Sequence, residues 1–286
     1  MINTLVFKKA RRANGYTQKE LAKGITTQGT ISRIEKDAFE PSRKILEALA
    51  LRLNLRPNQL VLQTTTQNLQ ESLQKADQEY KNYQYQHVLD ILKPFSDFTS
   101  EDTHTNSHLT FLLTASRVWL KEDYDEGIFG FNKILLNEKD SIFAPLAAME
   151  LAVVYSYKEN EDRSKYYADQ VPKLLDKLDS DVKYTDPVWY TIILANLSRF
   201  YYYHDNYDDS VSTAKLLIAF LNSINSSFNL ESAYMTLAAA LSQIDGDTDE
   251  TKRYLLVAWG LAVNSGNKKT LENTTEEMEK LNIPVF

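Results

Sequence analysis

A group of donor-rich side chains near the start of the chain has the composition of a DNA-reading surface. Ile31 and Ile34 have the i, i+3 spacing of a buried helical stripe, so their neighbours on the helix point outward. Glutamine and arginine can each make two hydrogen bonds to a base edge in the major groove, and serine and threonine hydroxyls can bond to any base. We therefore predict DNA contacts by Thr27, Gln28, Thr30, Ser32 and Arg33.

The residues around this group predict two short helices joined by a tight turn. Thr17 forms a capping box with Glu20, which starts the first helix, and Gly24 ends that helix. Thr26 or Thr27 caps the second helix. Two short helices in this order are typical of a helix-turn-helix element, whose second helix enters the major groove.

The segments that follow complete one small domain. A fourth helix is predicted from Ser42 to Asn54, which can close it in a left-handed conformation, and a fifth from Pro57 to Leu62. The pattern from Thr17 to Ser42 resembles the helix-turn-helix of the Xre/Cro repressor family. Because its inter-helix turn is one residue shorter than the common form, it is similar to the Rgg and PlcR regulators of Gram-positive bacteria. The resemblance implies a five-helix, lambda-repressor-like domain over residues 1–63, with phosphate contacts by Gln18 and Lys19.

Charge is divided unevenly along the chain. Residues 1–62 carry 12 basic and 5 acidic side chains, a net charge of +7, while the remainder carries 20 basic and 34 acidic side chains, a net charge of −14. A basic end on an acidic body suits a protein held by phosphates at one end only. The alternative, that these charges are ordinary solvated surface, is weakened by the motif in the same segment.

Length and composition indicate an ordinary globular protein. The chain has 286 residues, 43% of them hydrophobic and 25% charged, which leaves room for two domains. It contains no cysteine, so disulfides and thiolate metal sites are excluded. The basic, amphipathic first 15 residues do not resemble a signal peptide, and no apolar run approaches the roughly 20 residues of a spanning helix. We expect a cytoplasmic protein that does not enter a membrane.

From residue 67 onward the sequence predicts a succession of helix pairs. Residues 64–66 are polar and form the predicted linker, and residues 67–286 form the second domain. About five pairs and a capping helix near residues 269–281 fit in this length, and scarce glycine with no period-2 alternation argues against strands. The predicted fold is therefore all-α, with a right-handed tetratricopeptide-like superhelix. The turns within the pairs begin at Tyr85, Tyr124, Asp162, Tyr207 and Thr248.

The fourth pair shows the repeat most clearly. Leu197, Ser198 and Tyr201 occupy the places where the tetratricopeptide repeat has its leucine, its small residue and its aromatic residue. The small residue matters because two helices cross closely only where one lacks a long side chain. Stacked pairs curve, and their first helices line a groove that suits an extended peptide.

Five residues are candidates for peptide contacts in this groove. On the fourth pair, Asn196, Arg199 and Tyr202 are predicted to face inward, and an asparagine amide can both donate to and accept from a peptide backbone. The segment around Asn196 resembles a repeat of PlcR in which an asparagine contacts the peptide backbone; alternatively, Asn196 bridges helices. On the third pair, Glu150 falls near the place of another such asparagine and would favour a cationic peptide, while Tyr157 lines an aromatic pocket or belongs to the core.

The sequence offers little for catalysis. His104 and His108 have the i, i+4 spacing of metal ligands, but no glutamate lies between them, and we predict a polar loop over residues 100–107. No phosphate-binding glycine loop or serine nucleophile elbow occurs. We predict no enzymatic activity, no cofactor and no metal.

The predicted function follows from the resemblance to the Rgg, PlcR and PrgX regulators. It implies a homodimer that binds a pseudo-palindromic DNA operator and responds to a short signalling peptide, as in quorum sensing. Two alternatives stay open: a regulator whose repeats bind a protein partner and sense no peptide, and a scaffold that no longer binds DNA.

Overall fold

The structure is a computed structural model that describes residues 2–37, 39–60, 65–100, 102–121, 123–138, 140–281 and 283–284. Helices and connecting turns account for the described residues, and no β-strand occurs among them. The chain divides into two compact units between Lys75 and Ala76. Each unit has its own hydrophobic core.

The N-terminal unit is a small helical domain. Its helices are α1 (Thr4–Ala13), α2 (Gln18–Ala22), α3 (Gln28–Asp37) and α4 (Arg43–Arg52), followed by a 3₁₀ turn over Pro57–Leu60. The predicted capping box at Thr17 and the left-handed Asn54 are both present. The predicted fifth helix is thus the 3₁₀ turn, and Val61 and Leu62 lie outside the described residues. The core is formed by Ile2, Phe7, Leu21, Ile31, Ile34, Leu49, Ala50, Leu53 and Leu60.

The second unit is built from helix pairs. The predicted turn residues Tyr85, Tyr124 and Tyr207 begin the second helices of three pairs, and Thr248 caps another by accepting from the Thr251 backbone N–H. The pairs are α5 (Thr65–Lys81) with α6 (Tyr85–Leu92), α7 (Thr103–Lys121) with α8 (Tyr124–Asn137), α9 (Phe143–Tyr157) with α10 (Glu161–Ala168), α13 (Pro187–Tyr203) with α14 (Tyr207–Ser223), and α15 (Leu230–Asp245) with α16 (Asp249–Ser265), before the final α17 (Lys268–Lys280).

Small residues allow the helices of a pair to cross closely, as the sequence predicts. The Ser210 hydroxyl donates to the Ser198 carbonyl at 2.8 Å, and the Ser164 hydroxyl donates to the Ala152 carbonyl at the same distance. In both pairs these residues are buried. A side chain of any length at these points would separate the two helices.

Three local features differ from the sequence prediction. Two extra short helices, α11 (Gln170–Leu175) and α12 (Val182–Thr185), lie between the third and fourth pairs and explain why the repeat is longest there. Helix α7 begins at Thr103 and replaces most of the predicted loop over residues 100–107, because Asp102 accepts from the Thr105 backbone N–H at 2.9 Å. His108 lies on this helix and pairs with Asp77 at 2.6 Å.

The predicted linker also looks different in the structure. Gln63 and Thr64 lie outside the described residues, whereas Thr65 and Thr66 form the first turn of α5. The division between the compact units falls within α5. The domain boundaries at residues 63 and 67 remain a prediction.

No helix in the described parts of the chain is both long enough and apolar enough to cross a membrane.

Candidate functional site

Helix α3 of the N-terminal unit presents the predicted DNA-contacting residues as a surface. Its buried side is Ile31 and Ile34. Thr27 caps the helix by accepting from the Thr30 backbone N–H at 3.1 Å. The capping fixes the start of α3, from which a recognition helix reaches base edges. Thr27, Gln28 and Arg33 are exposed, whereas Thr30 and Ser32 are half-buried.

A chain of hydrogen bonds connects the core of this unit to the start of α3. Arg11 donates from Nε and Nη2 to the two carboxylate oxygens of Glu35 at 2.6 and 3.2 Å. Glu35 accepts from Gln18 Nε2 at 2.8 Å, and Gln18 Oε1 accepts from Gln28 Nε2 at 3.0 Å. Burial alone would raise the pKa of Glu35, but the hydrogen bonds from Arg11 and Gln18 hold that pKa below its ordinary value. Gln18 and Gln28 are therefore oriented from within the protein.

Arg33 and Lys19 differ in how firmly they are held. The Arg33 guanidinium lies 3.9 Å from the centre of the Phe39 ring, a cation–π contact that restricts the guanidinium in a residue that is exposed overall. Lys19 is exposed at the start of α2. An oriented guanidinium suits a bidentate base contact, and an exposed ammonium suits a phosphate.

The second unit contains a cavity of about 670 Å³. Its walls come from α5, α6, α7, α9 and α13, and they are mainly aromatic with a few polar side chains. A pocket of this size and lining is typical of a ligand site. The cavity is lined by Tyr80, Lys81, Tyr83, Tyr85, Trp119, Glu150, Val153, Ser156, Tyr157, Ile192, Asn196, Arg199, Phe200, Tyr203, His204, Phe228 and Asn229.

Four of the five predicted groove residues lie around this cavity: Glu150, Tyr157, Asn196 and Arg199. Tyr202 does not, which corrects its predicted placement. Residues 192, 196, 199 and 203 of α13 recur at the spacing of one helical face, and residue 202 lies about 100° away from residue 203. The Tyr202 ring packs against Tyr203 and Tyr207 at 5.4 and 5.9 Å between centroids, and Tyr203 takes its place in the cavity wall.

Asn196 is partly engaged within its own helix. Its Oδ1 accepts from Arg199 Nη2 at 2.5 Å, whereas no hydrogen bond of its Nδ2 occurs within the described part of the chain. The amide can thus donate to a carbonyl of a ligand without rearrangement, and it can accept only after Arg199 turns away. This differs from the sequence prediction, in which both the oxygen and the nitrogen of the Asn196 amide are free to bond to a peptide backbone.

Glu150 is the most unusual group in the cavity wall. Only 3% of its surface is exposed, and its Oε1 accepts from the Tyr80 hydroxyl at 3.4 Å. Burial raises the pKa of Glu150 to about 7, against the opposing effect of Tyr80 and Trp119. Burial and the nearby Glu150 carboxylate likewise raise the pKa of Tyr85 above its ordinary value.

Sequence patterns did not indicate several residues of the cavity. Tyr80 and Tyr85 lie on the first pair, 70 and 65 residues before Glu150, and nothing local relates them to it. His204 stacks on Phe200 with 4.1 Å between centroids, and its Nδ1 lies 3.2 Å from Glu161 Oε2. A register count along α13 would have placed Tyr203 correctly.

Comparison with known proteins identifies the N-terminal domain and the fold of the chain. Residues 7–60 match the helix-turn-helix family model. Bacillus thuringiensis PlcR in complex with the peptide PapR7 and DNA is 19% identical, with 95% of this chain and 98% of that chain covered and a TM-score of 0.61. Apo PlcR is 16% identical, with 96% and 99% covered and a TM-score of 0.63. The Streptococcus vestibularis competence regulator ComR in complex with its signalling peptide XIP is 16% identical, with 98% of each chain covered and a TM-score of 0.55.

A search of curated protein sequences gave no significant match. The match of residues 7–60 to the family model shows that the N-terminal unit is a helix-turn-helix domain. The chain as a whole has the fold of PlcR, an all-α architecture in which this domain precedes helical repeats.

Proposed function

We propose that this chain is a sequence-specific, DNA-binding transcriptional regulator controlled by a short peptide that binds in the cavity of the repeat unit. The observation that carries the proposal is the combination, in one chain, of an oriented recognition helix with an aromatic cavity. The structural similarity to PlcR, whose crystal structure contains a peptide and DNA, supports it along 95% of the chain.

The cavity has the properties that an extended peptide requires. Asn196 Nδ2 can donate to a peptide carbonyl, and the Arg199 guanidinium beside it can donate to a second carbonyl or to a carboxylate. The rings of Tyr85, Trp119 and Tyr157 offer apolar surface for side chains. Main-chain contacts give affinity and the aromatic pockets give specificity.

The regulation follows from two linked equilibria. A cytoplasmic homodimer presents two copies of α3 to an operator with two half-sites, and the spacing of the half-sites must match the dimer. A peptide that binds one dimer geometry more tightly than another shifts the population toward it. The size of the response is set by that difference in affinity.

The DNA-reading role is tested by selecting duplexes from a random pool with the full chain and then measuring affinity by fluorescence anisotropy. Gln28→Ala or Arg33→Ala is expected to lose about 1–3 kcal/mol on the selected duplex and to relax the preference at one position, because each removes a base contact. Lys19→Ala is expected to weaken binding to all sequences alike, because its loss reduces phosphate contacts only.

The control for charge is Arg253→Ala, which removes one exposed cation from α16 outside the helix-turn-helix domain. It is expected to change neither affinity nor sequence preference. Full affinity and unchanged discrimination in Arg33→Ala would contradict the base-reading role of this residue.

A further inference from the structure

One carboxylate in the repeat unit is buried without a charged partner. Glu150 is the only charged residue in α9, whose other residues from Phe143 to Tyr157 are mostly buried and apolar. Its Oε1 accepts from Tyr80, while its Oε2 is buried and accepts no hydrogen bond of standard geometry in the described part of the chain, although Trp119 lies near enough to lower the pKa of the carboxyl group. A carboxylate oxygen that gives up water without a replacement donor costs free energy. Such a group is the exception in a folded protein.

The groups around Glu150 do not neutralise it. Tyr80 on α5, Tyr85 on α6 and Trp119 on α7 are neutral at physiological pH. On α13, the Arg199 guanidinium donates to Asn196 Oδ1 and forms no salt bridge with Glu150 among the described residues. His204, also in the cavity wall, is instead within 3.2 Å of Glu161. Lys81, at the end of α5, also lines the cavity and forms no salt bridge with Glu150 among the described residues, so neither Lys81 nor Arg199 is paired with this carboxylate.

The aromatic lining adds to the preference for a cation. The rings of Tyr80, Tyr85 and Trp119 line the same cavity as Glu150, and aromatic faces attract cations within about 6 Å. A ligand ammonium or guanidinium could pair with Oε2 while it contacts these rings. An anionic or purely apolar ligand group in this place would leave the carboxylate unpaired.

We infer that Glu150 is a specificity-determining residue that selects peptides carrying a cationic group, either a free amino terminus or a lysine or arginine side chain, at this end of the cavity. The inference rests on the proposed peptide-binding function and adds the chemical class of the ligand. The cationic group supplies the hydrogen-bond donor that Oε2 lacks.

Proton binding gives this pairing a characteristic pH dependence. With a pKa of about 7 in the free protein, Glu150 is largely protonated at pH 6 and largely ionised at pH 8. A cation pairs with the ionised form, so binding at pH 6 must first release a proton. Affinity for a cationic peptide is therefore expected to fall about tenfold from pH 8 to pH 6. Any dependence that persists after removal of the carboxylate belongs to other groups.

The test uses the purified full chain and a library of random synthetic hexapeptides, prepared once with free and once with acetylated amino termini. Bound peptides are recovered at pH 8 and identified by mass spectrometry. The wild-type chain is expected to retain peptides with lysine or arginine at a fixed position, or peptides with a free amino terminus only. The two libraries separate these two sources of positive charge.

Glu150→Gln keeps the shape of the side chain and removes its charge. It is expected to lose the cation preference, to bind the best wild-type peptide about 30-fold more weakly, and to lose the decrease in affinity between pH 8 and pH 6. Glu272→Gln, the same change at an exposed position on α17, is expected to behave as wild type. Should Glu150→Gln fail to fold, Glu150→Asp retains the charge on a shorter side chain and is expected to keep the preference at reduced affinity.

The outcomes separate the inference from the function on which it rests. Retention of peptides without any cation preference, or an unchanged preference in Glu150→Gln, would overturn the role of Glu150 and leave peptide binding intact. If neither the wild-type chain nor any variant retains a peptide, the peptide-binding function is overturned, and the role of Glu150 with it.

Discussion

Arg11→Met is expected to destabilise the N-terminal unit by about 3–5 kcal/mol, which is a large part of the stability of a small domain. Arg11 and Glu35 form a salt bridge at 2.6 Å in which the two side chains are only 11% and 4% exposed. Removal of the guanidinium leaves the Glu35 carboxylate buried with Gln18 as its remaining side-chain donor. Urea unfolding of the full chain, followed by hydrogen exchange of amides in α1 and α3, measures the loss.

Two further variants show whether the effect comes from the unpaired charge. Arg11→Met with Glu35→Leu removes both partners and is expected to recover most of the stability, because a buried pair and an apolar pair of similar volume differ little. Arg43→Met breaks the exposed pair of Arg43 with Glu47 and is expected to have no measurable effect. A loss in the double variant as large as in Arg11→Met would show that packing, not charge, is responsible.

Glu150→Gln is expected to stabilise the repeat unit by about 3 kcal/mol at pH 8 and by much less at pH 5. Burial raises the pKa of Glu150 from the ordinary 4.5 to about 7, so the folded state holds this proton more tightly than the unfolded state does. The stabilising effect of that proton is fully present below pH 4.5 and is lost as the pH rises through 7. Glutamine cannot ionise, so the variant does not undergo this loss.

Denaturant unfolding at pH 5 and pH 8 measures the difference between the two proteins at each pH. Glu272→Gln serves as the control, since this exposed residue on α17 loses the same charge in contact with water. An equal difference between wild type and Glu150→Gln at both pH values would show that Glu150 does not titrate with folding. A carboxylate that reduces stability at neutral pH is easier to understand as a ligand contact than as a structural residue.

Features that depend on neighbours in the sequence were predicted well. The start of α2 follows from the Thr17 capping box, and the starts of α6, α8 and α14 follow from turn residues at Tyr85, Tyr124 and Tyr207. Caps and turns are local hydrogen-bonding patterns, so a single sequence contains the information. Helix-pair spacing then indicates the all-α repeat architecture.

Features that depend on distant pairs could not be predicted in the same way. Arg11 and Glu35 are 24 residues apart, and Tyr80 and Glu150 are 70 residues apart. Neither pair has a local pattern, and each forms only because helices from different parts of the chain pack together. On α13 the sequence predicts the correct face at Asn196 and Arg199, but one turn further both the i+3 residue, Tyr202, and the i+4 residue, Tyr203, are tyrosines, and only Tyr203 lines the cavity.

The measurement that tests the central claim most directly is DNA binding by the full chain in the presence of a peptide that the cavity retains. Fluorescence anisotropy on the selected duplex, with increasing peptide, is expected to show at least a tenfold change in Kd. In Asn196→Ala, the peptide concentration for half of this change is expected to rise by up to about 10-fold, because the hydrogen bond from Asn196 Nδ2 to the peptide backbone is lost. Asn222→Ala, on the exposed side of α14, is expected to respond as wild type. A DNA affinity that stays the same with every retained peptide would contradict peptide control of this protein.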